Sequence, residues 1–284
     1  MAALSKAPKD EFDSPVERLL VSITNLRKRP TSKGAHFYRT SLRRFQAWSN
    51  VFHPRIDREQ EQALKLLDKL RKVSGKFRDA AVHLDLLQGI KEIDAREVKR
   101  VRKHLKSRRE SQRTKLKGLL RDPLLSEVWP RLQLLDEEPQ KQLAPTEEFD
   151  RMAHRALNAY RAFVRRRRDL TPESLHDYRL ACKRSRYTAE LAGDTVQAKQ
   201  LVEAWKHVQD VIGDWHDHLI LANLAAKVLG DSVLHSALVG LTQQKYADAV
   251  VAVDEIERKL LGDSKVIPKK VPGRAASRSS SRVA

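Results

Sequence analysis

Two stretches of the chain carry the same order of chemically capable side chains. His36, Arg39, Arg43 and Arg44 fit the pattern His-x-Tyr-Arg-x-x-x-basic-Arg, and His176, Arg179, Lys183 and Arg184 repeat it 140 residues later. Arginine offers a planar fork of donors to two oxyanion oxygens, lysine a mobile point charge, and histidine a donor that gains charge on protonation. Such a set suits a chain of regularly spaced anions. It lacks the carboxylates that Mg²⁺-assisted phosphoryl transfer requires. At about 4 Å and an effective dielectric near 20, each cation–anion contact has a gross attraction of about 4 kcal/mol, most of it offset by desolvation. Many contacts are therefore needed.

On a helix at 100° per residue with His36 at zero, Arg39 falls at about −60°, Arg43 at about −20° and Arg44 at about +80°. Phe37, Tyr38, Leu42, Phe45, Trp48 and Phe52 fall between about 100° and 240°. A wide basic face is expected opposite a wide apolar one. A single helix of this kind usually presents solvated arginines. Repetition in fixed register argues for a site that meets anions from two sides. A second pair of segments follows, Gly75-Lys76-Phe77-Arg78-Asp79 and Gly213-Asp214-Trp215-His216-Asp217, sharing Gly-x-aromatic-x-Asp at an offset of 138. Each reads as a helix break followed by a scaffolding carboxylate, Asp79 or Asp217.

The elements that must position these residues are helices. Ten glycines in 284 residues, few β-branched runs and apolar residues recurring at three and four give an all-α reading with no convincing strand. Helices are expected near 14–29, 33–52, 57–73, 76–90 and 92–121, then near 147–168, 172–192, 195–212, 214–229 and 232–261. Thr171 before Pro172 marks one start. The prolines at 123, 130, 139 and 145 mark a connector over 123–145, dividing a first bundle at 14–122 from a second at 146–262. Residues 1–13 and 263–284 lack periodicity and are expected to be disordered, the latter as a basic tail.

Composition narrows the function classes. Lys and Arg number 56 against 37 Asp and Glu, a net charge of +19, and 40% of residues are hydrophobic, enough for a sizeable core. The blocks 1–50 and 151–200, which hold the two His-Arg segments, carry +6 and +7 of that excess. A lone cysteine, Cys182, excludes a disulfide scaffold and a Cys-rich zinc site. Without a signal-like segment or a long apolar stretch, a cytoplasmic protein is expected.

These motifs, with Gln209-Asp210-Val211-Ile212-Gly213 and Asp217, resemble the CHAD family, the conserved-histidine α-helical domain, over roughly residues 14–262. The resemblance implies two four-helix bundles, related by a pseudo-twofold and packed around a basic central cavity or groove. It further implies binding of inorganic polyphosphate, in some members at polyphosphate granules; with almost no carboxylates in the basic motifs, no enzymatic activity is expected. Carried over by position, the implied contacts are His36, Arg39, Arg43 and Arg44 with His176, Arg179, Lys183, Arg184 and Arg186. Lys72, Lys76, Arg78 and Lys206 are expected on the neighbouring helices. The family's Arg-Asp-x-Asp segment is Arg78-Asp79-Ala80-Ala81 here, without the second carboxylate, and His216 replaces the arginine in the second copy.

Nucleic-acid binding is the main alternative, since +19 would also attract RNA or DNA. Aromatics are only 6% of residues, and those of the first motif helix fall opposite its arginines, where they read as core. A polyphosphate-processing phosphohydrolase is the second alternative. Glu255-x-Glu257-x-Lys259 is similar to the signature of the CYTH triphosphatases, but it falls at the end of an expected helix instead of the start of a β-barrel. No cofactor or metal is expected: His216 and His218 lie about 200° apart on a helix, and arginines beside His36 and His176 repel cations.

Overall fold

The computed structural model describes residues 14–53, 57–90, 94–121, 124–137, 145–167, 169–193 and 195–262. The expected disordered ends, 1–13 and 263–284, lie outside the described residues. Described elements are the helices α1 (Pro15–Lys28), α2 (Ser32–Phe52), α3 (Arg58–Gly89), α4 (Ala95–Leu120), α5 (Leu124–Glu137), α6 (Pro145–Arg166), α7 (Pro172–Glu190), α8 (Val196–Leu229) and α9 (Val233–Leu261). No strand occurs among the described residues.

Local sequence explains the helix starts. Ser14 caps α1, its hydroxyl accepting from the Glu17 N–H at 3.0 Å, and Pro15 follows where no intrahelical donor is required. Thr31, just after Pro30, caps α2 through the Gly34 N–H. A reciprocal Thr171–Ser174 capping box opens α7 at Pro172, as the sequence anticipates.

Apolar faces gather in three cores. One is built from α1, α2, the first half of α3, the end of α4 and α5, around Leu19, Tyr38, Phe45 and Leu67. A second joins α6, α7, the first half of α8 and the end of α9, around Tyr160, Tyr178 and Trp205. The third unites the remaining halves of the four long helices through Leu87, Val101, Leu105, Leu221, Leu234 and Leu238. Each half is thus a helical bundle, and the long helices run on into a shared core. Burying side chains such as Leu42 and Phe45, both fully inaccessible, contributes roughly 1.5–3 kcal/mol each.

The motif tyrosines anchor α2 and α7 in these cores. Tyr38 donates from its hydroxyl to the Leu67 carbonyl of α3 at 2.7 Å, and the Tyr178 hydroxyl pairs with that of Tyr160 on α6. With the tyrosines turned inward, the His, Arg and Lys residues of the same helices are directed elsewhere.

Two expectations are corrected. Residues 124–137 of the anticipated connector form α5, whose Leu125, Val128 and Leu132 enter the first core. The helices expected at 57–73 and 76–90 are one helix, α3, and those at 195–212 and 214–229 are one helix, α8. Gly75 and Gly213 do not break them, because their backbone is ordinary helix and their missing side chain serves a neighbour. A Cβ at Gly75 would overlap Nη1 of Arg39, and one at Gly213 would lie 2.9 Å from Nη2 of Arg179. Both glycines are buried under an arginine from the preceding helix.

This packing reverses the usual effect of a helical glycine. In an open helix Gly→Ala stabilises by about 1 kcal/mol, whereas Gly75→Ala should destabilise by roughly 1–3 kcal/mol through overpacking. In an Arg39→Ala background the same change should become neutral or stabilising. Urea unfolding of the four proteins measures the cycle; a stabilising Gly75→Ala in both backgrounds would show that the guanidinium does not need the space.

Candidate anion site

Arg39 lies flat against α3, donating from Nη1 to the Arg71 carbonyl at 3.0 Å, one turn before Gly75. Arg179 repeats this on α8, donating from Nε to the Gln209 carbonyl at 3.3 Å, one turn before Gly213. The glycines let a guanidinium approach the helix closely enough to use a backbone oxygen that the helix already employs. Each arginine also faces a carboxylate from its own copy of the Gly-x-aromatic-x-Asp segment: Asp79 supports the charge of Arg39, and Asp217 that of Arg179. The scaffolding role expected of these aspartates is consistent with this geometry.

From these two anchors the remaining cations converge, and α2 packs directly on α7. Desolvation lowers the pKa of Arg39 and of Arg179, and each also feels the other half of the chain: Arg39 feels Arg179, and Arg179 feels Arg78. Arg43 is lowered to about 10, chiefly by desolvation, against an opposing effect of Tyr187, with Arg71, Arg39 and Arg179 each adding to the lowering. Lys183 is lowered to about 6 by desolvation and by the charges of Arg179, Arg43, Arg39 and Arg186. The Arg186 guanidinium covers the Tyr187 ring at 4.5 Å. His36 is lowered by desolvation and by Arg78, Arg39 and Arg186; His176 by desolvation, His216 and Arg179. The His176 and His216 rings lie 5.6 Å apart.

Eight expected residues thus share one field: His36, Arg39, Arg43, Arg78, His176, Arg179, Lys183 and Arg186. The others lie around it. Arg44 donates from Nε to Glu190 at 2.6 Å, tying α2 to α7, and Glu190 also faces Nε of Arg186 at 3.5 Å. Lys72 pairs with Asp68 at 3.2 Å. Lys76, Arg184 and Lys206 are exposed, and none is among the charges that shift the cluster.

Two residues escaped the sequence reading. Arg71 lowers both Arg39 and Arg43, and is itself held by Asp68 at 2.7 Å. Its position in the repeat is occupied by Gln209, so no duplicated signal marks it. His83 is buried, with its pKa lowered by desolvation despite the opposing charges of Asp217 and Asp79; the matching position in α8 is Leu221.

Other motifs resolve into structural roles. Glu257 accepts from Arg167 at 2.8 Å while Glu255 and Lys259 are exposed, so the Glu-x-Glu-x-Lys residues do not converge. His218 turns back to the Asp214 carbonyl at 2.8 Å, away from His216. Among the described residues, no three His, Cys, Asp or Glu side chains are placed to hold a metal ion, and no helix is long and apolar enough to cross a membrane. Two pockets, of about 230 Å³ between α1 and α5 and about 370 Å³ at the start of α7, are not walled by the cluster.

An all-α fold with paired helical bundles and cations gathered from both halves defines the class. The chain belongs to the CHAD domain family, whose model matches residues 14–226. Among solved structures it is similar to PptA from Streptomyces chartreusis, at 14% identity and a TM-score of 0.65, covering 86% of this chain and 95% of that one. It is also similar to the CHAD domain from the plant Ricinus communis, at 16% identity and a TM-score of 0.63, covering 87% of each. No curated protein matches the chain.

The depressed Lys183 has a signed consequence. Its folded pKa of about 6 lies below its ordinary value of 10.5, so between these pH values the unfolded chain holds the extra proton and stability rises with pH. Lys183→Met should therefore stabilise the ligand-free protein most at and below about pH 6, by at least ~1.4 kcal/mol, the worth of one pKa unit. The gain should vanish toward pH 10. Denaturant unfolding across pH checks this, and a gain that grows with pH would refute it.

Proposed function

We propose that this protein binds inorganic polyphosphate, without catalysis, at the cluster formed by α2, α3, α7 and α8. His36, Arg39, Arg43, Arg44 and Arg78 of the first half and His176, Arg179, Lys183, Arg184 and Arg186 of the second hold the chain. Lys72, Lys76 and Lys206 extend the field outward. In this reading the two halves face one anion path as a pseudo-twofold pair, the protein is cytoplasmic, and polyphosphate granules are its place of action.

The carrying observation is that Arg39 and Arg43 meet Arg179 and Lys183 closely enough to weaken one another's hold on a proton. Asp79 supports Arg39, and Asp217, Asp210 and Asp79 support Arg179, while Arg71, Arg78 and Arg186 add further positive charge to the same field. Such a group gains from a multivalent anion that replaces lost water with charge-assisted hydrogen bonds. A polymer of phosphates supplies many without bases. Three of the five aromatics of α2 support this reading: Tyr38, Phe45 and Trp48 are buried, so they offer no surface for stacked bases. Membership of the CHAD family supports the same ligand.

Arg43→Ala with Lys183→Ala should weaken long-chain polyphosphate binding by at least about tenfold, one lost charge-assisted contact being worth roughly 1.5–3 kcal/mol. Far-UV circular dichroism should not change. Fluorescence titration against single-stranded RNA at equal phosphate concentration and ionic strength checks the ligand class. RNA binding as tight as polyphosphate, or unchanged affinity in the double variant, would overturn the proposal.

A further inference from the structure

We propose that the outer edge of α4 is a second, extended track for the same linear polyanion; this rests on the polyphosphate reading of the cluster. α4 holds eleven Lys and Arg against two Glu, a net +9 within a chain of +19. Residues 196–261, covering α8 and α9, hold six cations against nine carboxylates. The excess charge is therefore not an even coat for solubility.

Within α4 the cations stand in file. Arg96, Lys99, Lys103, Lys106, Arg113 and Lys117 step by three and four residues, and Glu110 fills the one remaining place. At 100° and 1.5 Å per residue they share an arc of about 100° and extend over roughly 32 Å. Val101, Leu105, Leu116 and Leu120 are the buried residues of the helix and lie outside this arc. Arg96, Lys99, Lys103, Lys106 and Lys117 are exposed, and among the described residues none has a carboxylate within 4 Å. Arg113 shares only a 3.6 Å contact with Glu110.

Such a file opposes its own helix. Like charges three and four residues apart repel, and Arg96 stands in the first turn, at the positive end of the helix dipole. A face shaped by solubility alone would mix the signs. Cations spaced by about 5 Å along one line suit an anion chain laid parallel to the helix. α4 contains no aromatic residue, so it offers a phosphate polymer its charges and a nucleic acid no stacking platform.

The file is separate from the cluster. Arg108, whose charge reaches the buried His83, lies about 180° around α4 from Lys99. A short phosphate chain can occupy the cluster alone, whereas a long one can occupy both surfaces and gain from the raised effective concentration of its second segment.

The test uses the full chain with Lys99, Lys103, Lys106 and Lys117 all changed to Gln, titrated with tripolyphosphate and with long-chain polyphosphate over a range of salt. Long-chain affinity should fall by about tenfold or more, and its log–log salt slope should become shallower by roughly 0.7 for each cation engaged. Tripolyphosphate affinity should not change. Relieved of repulsion, the variant should be at least as helical as the parent by circular dichroism. Unchanged long-chain affinity and slope would sink the track; if Arg43→Ala/Lys183→Ala still weakened binding, the cluster reading would survive. Failure of both variants to weaken binding would sink both. A greater loss for single-stranded RNA than for polyphosphate would assign the track to nucleic acid and overturn the proposal.

Discussion

Holding like charges together while partly removing them from water is the constraint on which this structure turns. Desolvation weighs on Arg39, Arg43, Arg179 and Lys183 at the contact between α2 and α7, and the charges of the arginines repel one another and any proton on Lys183. Two matching contacts make the arrangement tenable. A guanidinium lies on a glycine of the next helix, shares the carbonyl one turn earlier, and faces the aspartate four residues after that glycine. The long helices continue past these contacts into a common core, so the arginines are fixed to rigid segments. Lys183 has no such partner and yields its proton instead.

The duplicated His-Arg pattern was legible because repetition is visible in a single sequence, and it led directly to Arg39, Arg43, Arg179 and Lys183. The glycines were visible too, but their commonest local meaning is a helix end. Nothing in Gly75 or Gly213 announces an arginine arriving from 30 or more residues away. That reading split two helices that tertiary contact makes continuous. Arg71 was missed because its counterpart is Gln209, and both residues act in the repeat through a backbone carbonyl, which any side chain could carry. The peripheral set, Lys76, Arg184 and Lys206, shares the cationic type of the cluster without its burial, a distinction that only packing reveals.

Charge distribution shows the same limit of linear reading. Counted in blocks of fifty residues, the stretch 101–150 is nearly balanced, because carboxylates such as Asp136, Glu137 and Glu138 offset the cations of α4. Divided by helix, α4 is strongly basic while α8 and α9 are net acidic. Two concentrations of positive charge are thereby distinguished, an inner cluster whose members depress one another's pKa and an outer file that remains solvated. These are different physical states of positive charge. The first is sensitive to pH and geometry, the second mainly to ionic strength.

The central claim is that the inner cluster awaits a polyanion, and proton uptake tests it most directly. With its pKa near 6, Lys183 is largely neutral at pH 8 in the free protein, and a bound phosphate chain should restore its charge. Calorimetric titration with polyphosphate at pH 8, in buffers of different ionisation enthalpy, should show uptake of close to one proton, and Lys183→Met should abolish that uptake. Binding heats independent of buffer, or uptake that survives in Lys183→Met, would contradict the account.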